Sequence, residues 1–276
     1  MRPLIATLGL LLSTSLASAA DLGGPYDTYD GSLKDEPILR PFSWTGLYVG
    51  LNVGYGWANI SSFLPEDIDD QIHYVPPGGV KTDLEPDGWF GGGQIGFNYQ
   101  RDSVVFGLEA DWQGGDMEAS SIRRYPHIAF DGNPDVDAWF DTTTKVKIDQ
   151  FGTVRGRLGL ALGKFLPYVT GGLAWAEAKS ESTTLYDVTV PPIYRGPWVA
   201  KDSVYHIGWT VGGGVEVALT DNLSVKAEYL YLDFGDATHV TEYVNAVTGR
   251  LGDTYKTEPD LDMHSLRIGV NYKFGG

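Results

Sequence analysis

From His264 to Phe274 the chain alternates with a period of two. Leu266, Ile268, Val270, Tyr272 and Phe274 share one parity, and Ser265, Arg267, Gly269, Asn271 and Lys273 share the other. Successive side chains of a strand point to opposite faces, so the stretch predicts a strand with one apolar and one polar face. Seven further stretches repeat the pattern. Trp44 to Ala58 sets Leu47, Val49, Leu51, Val53, Tyr55 and Trp57 against Tyr48, Asn52, Ala58 and four glycines. The others are Trp89 to Tyr99, Val104 to Trp112, Asp149 to Ala161, Phe165 to Trp175, Ile207 to Val217 and Leu223 to Tyr231.

The connections alternate in length. Gln100 to Ser103, Leu162 to Lys164 and Thr220 to Asn222 have the Gly, Asn, Asp and Ser chemistry of tight turns. Between them lie long segments, 59–88, 113–148, 176–206 and 235–263. Charge and glycine occupy one parity and aliphatic and aromatic residues the other. A soluble ligand-binding barrel would turn the apolar parity inward, whereas a transmembrane barrel turns it to lipid and keeps the polar parity inside. The expected fold is therefore all-β: an eight-stranded antiparallel transmembrane β-barrel with short periplasmic turns and long extracellular loops. His239 to Asn245 and Thr254 to Thr257 could form a further hairpin, expected outside the membrane.

The ends and the composition sharpen this picture. Met1-Arg2, the apolar run Leu4 to Leu16 and Ala17-Ser18-Ala19 fit a cleaved secretory signal over residues 1–19. Residues 20–42, with Asp27, Asp30, Asp35, Glu36 and several prolines, read as an acidic flexible periplasmic leader. Residues 43–276 are then the barrel. No later stretch is apolar for long enough to be a membrane helix. Cysteine is absent, which excludes disulfides and thiolate chemistry, and a net charge of −16 argues against nucleic acid as a partner. The 36 glycines and 8 tryptophans suit strands, tight turns and membrane interfaces.

Several motifs taken in order carry a resemblance. They are Phe42-Ser43-Trp44-Thr45-Gly46-Leu47-Tyr48-Val49-Gly50, Phe151-Gly152-Thr153-Val154-Arg155-Gly156-Arg157-Leu158-Gly159, Pro167-Tyr168-Val169-Thr170-Gly171-Gly172, Gly208-Trp209-Thr210-Val211-Gly212-Gly213-Gly214-Val215-Glu216 and the closing Ile268 to Phe274. Together they resemble the small outer-membrane proteins of alphaproteobacteria, of the twenty-five and thirty-one kilodalton type, a porin family related in fold to the OmpA transmembrane domain. The resemblance implies an outer-membrane location in a Gram-negative cell, a part in envelope integrity and surface interactions, and in some members porin or haemin-binding activity. Gly275-Gly276 departs from the aromatic end usual in such chains.

The candidate chemistry lies on the inward parity. Glu109 and Asp111 are on the strand next to Arg155 and Arg157, while Glu216, Lys226, Glu228 and Arg267 follow on successive strands. Opposite charges on adjacent strands can pair in a lumen where an unpaired charge would be costly. The set reads as a structural plug, with a gate or narrow ion path as the alternative. Trp57, Trp89, Trp112, Trp175, Trp209 and Tyr231 near the long loops, and Trp44, Tyr99, Tyr272 and Phe274 near the short turns, are expected to form two interfacial girdles.

No histidine is spaced to build a triad with a serine, so no catalytic residue is assigned. The acidic run Glu66, Asp67, Asp69 and Asp70 lacks the glycine-centred spacing of a calcium loop, so no metal or cofactor is assigned either. The expected function is structural: envelope integrity and surface display, without enzymatic activity. The alternatives are a small porin or a haemin-binding surface protein, the latter drawing on His73, Tyr74, Tyr125, His127 and His239. Expected partners are outer-membrane lipid, lipopolysaccharide, the barrel assembly machinery and a surface ligand held by the loops.

Overall fold

The structure is a computed structural model that describes residues 42–64, 80–129, 137–188, 197–249 and 251–274. The expected signal and all but the last residue of the expected leader lie outside these. Among the described residues eleven strands are present: β1 (Gly46–Leu64), β2 (Val80–Leu84), β3 (Asp87–Arg101), β4 (Val104–Ala129), β5 (Asp137–Leu160), β6 (Phe165–Val188), β7 (Trp198–Ala218), β8 (Leu223–Asp236), β9 (His239–Asn245), β10 (Leu251–Thr257) and β11 (Asp260–Lys273).

Eight of them close a ring. Each of β1, β3, β4, β5, β6, β7, β8 and β11 pairs antiparallel with the next, and β11 returns to β1 from Tyr48↔Lys273 to Ser61↔Asp260. A closed ring pairs every backbone group without help from water, which is what hydrocarbon demands. The remaining strands decorate its outer end. β2 pairs with the far end of β1, from Ile60↔Leu84 to Leu64↔Val80. The β9–β10 hairpin joins β7 through Trp198↔Asn245 and Val199↔Val244, outside the ring.

The ring strands are joined at one end by tight turns. Asp102 at φ 54° and Gly163 at φ 64° take the left-handed conformation that such turns need, one tolerable for aspartate and free for glycine.

The opposite end differs from expectation. β4, β5, β6 and β7 run 26, 24, 24 and 21 residues, whereas about 9–11 cross a bilayer at a tilt. The stretches expected as loops at 113–148 and 176–206 are largely strand, paired from Met117↔Ile148 to Ala129↔Asp137 and from Ile148↔Ala178 to Ala138↔Val188. Beyond the few buried apolar residues near the ring, among them Met117, Val146 and Ile148, both faces carry many polar residues, so no sustained apolar alternation marks them. Cross-strand pairs hold them instead, among them Thr142–Thr184 at 3.0 Å, Lys145–Glu118 at 2.9 Å and Lys201–Glu181 at 2.9 Å.

The interior is layered. Near the short turns Trp44, Val105, Leu166 and Ala218 form a small buried apolar cluster, with Phe42 against it. A charged and polar layer follows. Above it lies a larger apolar layer that includes Phe90, Met117, Ile148, Phe151, Leu230, Leu232, Phe234, Leu261 and Met263. Phe90 and Phe151 meet edge to face across it, with ring centroids 5.0 Å apart. A bulge at the β5–β6 step Ile148/Gln150 helps build this layer. Below it the odd residues Phe151, Thr153, Arg155 and Arg157 are buried, and above it the even residues Val146 and Ile148 are. One extra residue in a strand inverts its parity from that point on.

Candidate functional site: an ionic layer across the bore

The middle layer draws on β4, β5, β7, β8 and β11, whose alternate residues point inward because the other parity faces lipid. All eight sequence-derived charges are there and buried: Glu109, Asp111, Arg155, Arg157, Glu216, Lys226, Glu228 and Arg267. Four are carboxylates and four are cations, so the formal charge of the layer is zero.

The partners reach further than adjacent strands. Glu109 faces Arg155 on the neighbouring strand, with Oε1 2.5 Å from Nη2, and accepts from Lys226 Nζ at 2.8 Å on both oxygens. β4 and β8 stand four strands apart in the ring, so the Glu109–Lys226 contact spans the bore. Arg155 Nη1 reaches Glu228 Oε1 at 3.0 Å and its Nη2 reaches Asp111 Oδ2 at 3.0 Å. Arg267 Nη2 meets Asp111 Oδ2 at 3.0 Å, and its Nε donates to Glu228 Oε2 at 2.7 Å. Arg157 pairs with Glu216 across two strands and lies 3.7 Å over the Tyr168 ring. Glu216 and Lys226 stand directly opposite each other on β7 and β8, yet their bonds go elsewhere. In so narrow a bore the long lysine reaches the opposite wall, and Glu216 takes Arg157, Ser224 and Asn271.

Neutral groups complete the layer. The Tyr48 and Tyr168 hydroxyls donate to Glu109 Oε2 at 2.7 Å and to Glu228 Oε1 at 2.9 Å. Thr153 donates to Asp111 Oδ2 at 2.6 Å, and Gln94 Nε2 donates to Asn271 Oδ1 at 2.8 Å. Such a lattice of charge-assisted bonds holds each carboxylate from two or more directions.

Gly96 on β3 makes room for Tyr48, because a Cβ there would fall on the phenol ring. Gly96→Val is therefore expected to displace the Tyr48–Glu109 bond and to cost about 1–3 kcal/mol by overpacking. Urea unfolding in lipid vesicles would measure it, and an unchanged midpoint would contradict this packing.

The outward aromatics divide as the parity implies, with one exception. Trp57, Trp89, Trp112 and Trp209 are exposed at the end with the long strands, and Trp175 and Tyr231 are half-buried there. Tyr99, Tyr272 and Phe274 are exposed at the turn end. Trp44 is the exception, since it is buried rather than part of a girdle. Its indole donates to the Gly163 carbonyl at 3.1 Å and its backbone N–H to Gln100 Oε1 at 2.8 Å, which folds the residue across the mouth of the ring.

Sequence reasoning missed the apolar layer, for which Leu230, Leu232 and Phe234 beside Tyr229 and Tyr231 were the available signal. It also missed a meeting of Asp202, His206 and His239 at the outer mouth, which no spacing marks. The acidic run at residues 66–70, His73 and Tyr74 lie outside the described residues, as do the side chains of Tyr125 and His127.

The family described as outer membrane protein beta-barrel domain matches residues 41–274. The chain is 32% identical over 277 residues to the 31 kDa outer-membrane immunogenic protein of Brucella melitensis, covering 98% of both chains. It is 27% identical to the 25 kDa outer-membrane immunogenic protein of Brucella canis, covering 98% of this chain and 96% of that one. With the 22 kDa outer membrane protein of Rhizobium leguminosarum it shares 25% identity, over 87% of this chain and 83% of the other. A closed antiparallel ring with a lipid-facing apolar parity, matched along its whole length in this way, belongs to the outer membrane protein beta-barrel family and resides in the outer membrane.

Proposed function

We propose that the protein is a sealed, non-enzymatic structural element of the outer membrane that also carries extended strands into the surroundings of the cell. The observation that supports the seal is the Glu109–Lys226 contact across the bore, within a charge-neutral layer that has apolar clusters on both sides. An ion path would have to part several buried pairs and then wet a layer lined by phenylalanine, leucine and methionine, and apolar constrictions close pores by excluding water.

The girdles would seat the barrel among lipid and lipopolysaccharide, and the assembly machinery would insert it there. The extended β4–β7 sheet supports the second half of the reading, as do relatives named immunogenic. Deletion of the gene is expected to raise outer-membrane leakage of a large dye. A variant with the β4–β5 and β6–β7 extensions trimmed to the girdle should restore the barrier. Failure of that trimmed barrel to restore it would contradict an envelope role for the ring itself.

A further inference from the structure

A second cluster lies at the outer mouth, above the girdle that Trp175 and Trp209 mark. His206 on β7 and His239 at the start of β9 are both buried and face each other, Nε2 to Nε2, at 3.1 Å. Asp202, on the same face of β7 as His206, sets Oδ2 2.9 Å from His239 Nδ1, and the Ser203 amide donates to Asp202 Oδ1 at 2.8 Å. That carboxylate lies close enough to favour a proton on His239 Nδ1 electrostatically, though its Oδ2 has no hydrogen-bond partner of good geometry among the described residues. The Nε2–Nε2 approach is itself within hydrogen-bond distance, while His206 Nδ1 is buried with no hydrogen-bond partner among the described residues.

Two imidazole nitrogens about 2.0–2.1 Å from zinc and a tetrahedral angle apart lie about 3.3 Å from each other. The observed 3.1 Å differs by less than a small ring rotation would supply. A carboxylate behind a ligating histidine is the usual outer support of such sites. We propose that His206 and His239 bind a late first-row divalent cation, Zn²⁺ or one of like chemistry, through their Nε2 atoms. Asp202 orients His239, and water fills the remaining positions. Imidazole ligands select this class over calcium or magnesium. The β9–β10 hairpin joins β7 through two residue pairs at its tip, and the bound metal pins its base as well.

Titration of the tag-free, folded full chain with Zn²⁺ against a chromophoric chelator tests this. A single bound equivalent is expected, together with slower proteolysis of the 239–257 hairpin when zinc is present. His206→Ala and His239→Gln should each abolish that equivalent, and Asp202→Asn should weaken it about 10- to 100-fold. His264→Ala and the pair His73→Ala with His127→Ala should leave it unchanged. Every variant is first shown to be a closed barrel by heat-modifiable migration. His239 lies outside the ring, so its conservative variant keeps the test decisive if His206→Ala does not fold. The proposal is overturned if the wild-type chain binds no zinc, or if His239→Gln and Asp202→Asn bind it as the wild type does.

Discussion

Replacing Arg267 with alanine is expected to cost the folded barrel about 3–5 kcal/mol, because removing one partner of a buried ion network leaves the others charged and unpaired. The residue touches Asp111 and Glu228 directly and lies 3.5 Å from Glu109, so three carboxylates lose a cation together. Lys226 and Arg155 remain, but each is already committed to those same acids. Urea titration of the barrel in lipid vesicles, followed by tryptophan fluorescence and gel mobility, would show the folding midpoint falling. The double change Arg157→Met with Glu216→Met should cost less than either single change, since it removes both charges of one pair. Equal stability of wild type and Arg267→Ala would mean that the network is hydrated rather than dry.

The second large effect is expected in the apolar layer. Phe151 is buried and packs edge to face on Phe90, so Phe151→Ala should destabilise by about 3–5 kcal/mol through lost burial and the cavity left behind. Phe90→Ala should cost a similar amount. The two should combine to less than their sum, because each ring is the other's partner. Leu162→Ala, in the exposed turn between β5 and β6, serves as a control expected to move the midpoint little. Additivity of the two phenylalanine changes would show that the rings do not share one layer.

Much of this architecture is legible from alternation alone. In the membrane-crossing stretches, lipid on one side and a narrow bore on the other force unlike faces, so parity identifies the strands and places Glu109, Arg155, Glu228 and Arg267 inside. Three features escape it for physical reasons. The β4–β7 extensions stand above the hydrocarbon, where neither face must be apolar, so Thr142 to Thr144 and Ser180 to Thr184 read as loop. From Tyr229 to Phe234 the bore face, Leu230, Leu232 and Phe234, is wholly apolar and the outward face, Tyr229, Tyr231 and Asp233, is largely aromatic, so no polar period separates the two faces. Asp149 sits at a bulge that inverts parity, which hides Val146 and Ile148 from any fixed register. Trp44 escapes for a different reason. It precedes β1, and its hydrogen bonds to Gly163 and Gln100, not strand alternation, decide where its ring goes.

The partners within the ionic layer are likewise not a matter of sequence neighbours. Parity identifies which charges face inward, whereas the bore's width decides which of them meet. Lys226 bypasses Glu216 on the adjacent strand for Glu109 on the opposite wall because four strands of a small ring are within one lysine's reach. The same crossing contacts that make pairings hard to read from the sequence are what fill the lumen.

Conductance of the folded wild-type chain in a planar lipid bilayer tests the sealed bore most directly. The expected trace stays at the bilayer baseline with no discrete steps at moderate voltage, and it does so for Phe90→Ala as well, because the Glu109–Lys226 crossing remains. Reproducible openings of the wild-type chain whose size changes with Arg155→Ala or Glu109→Ala would contradict a closed ionic layer and make the protein a channel.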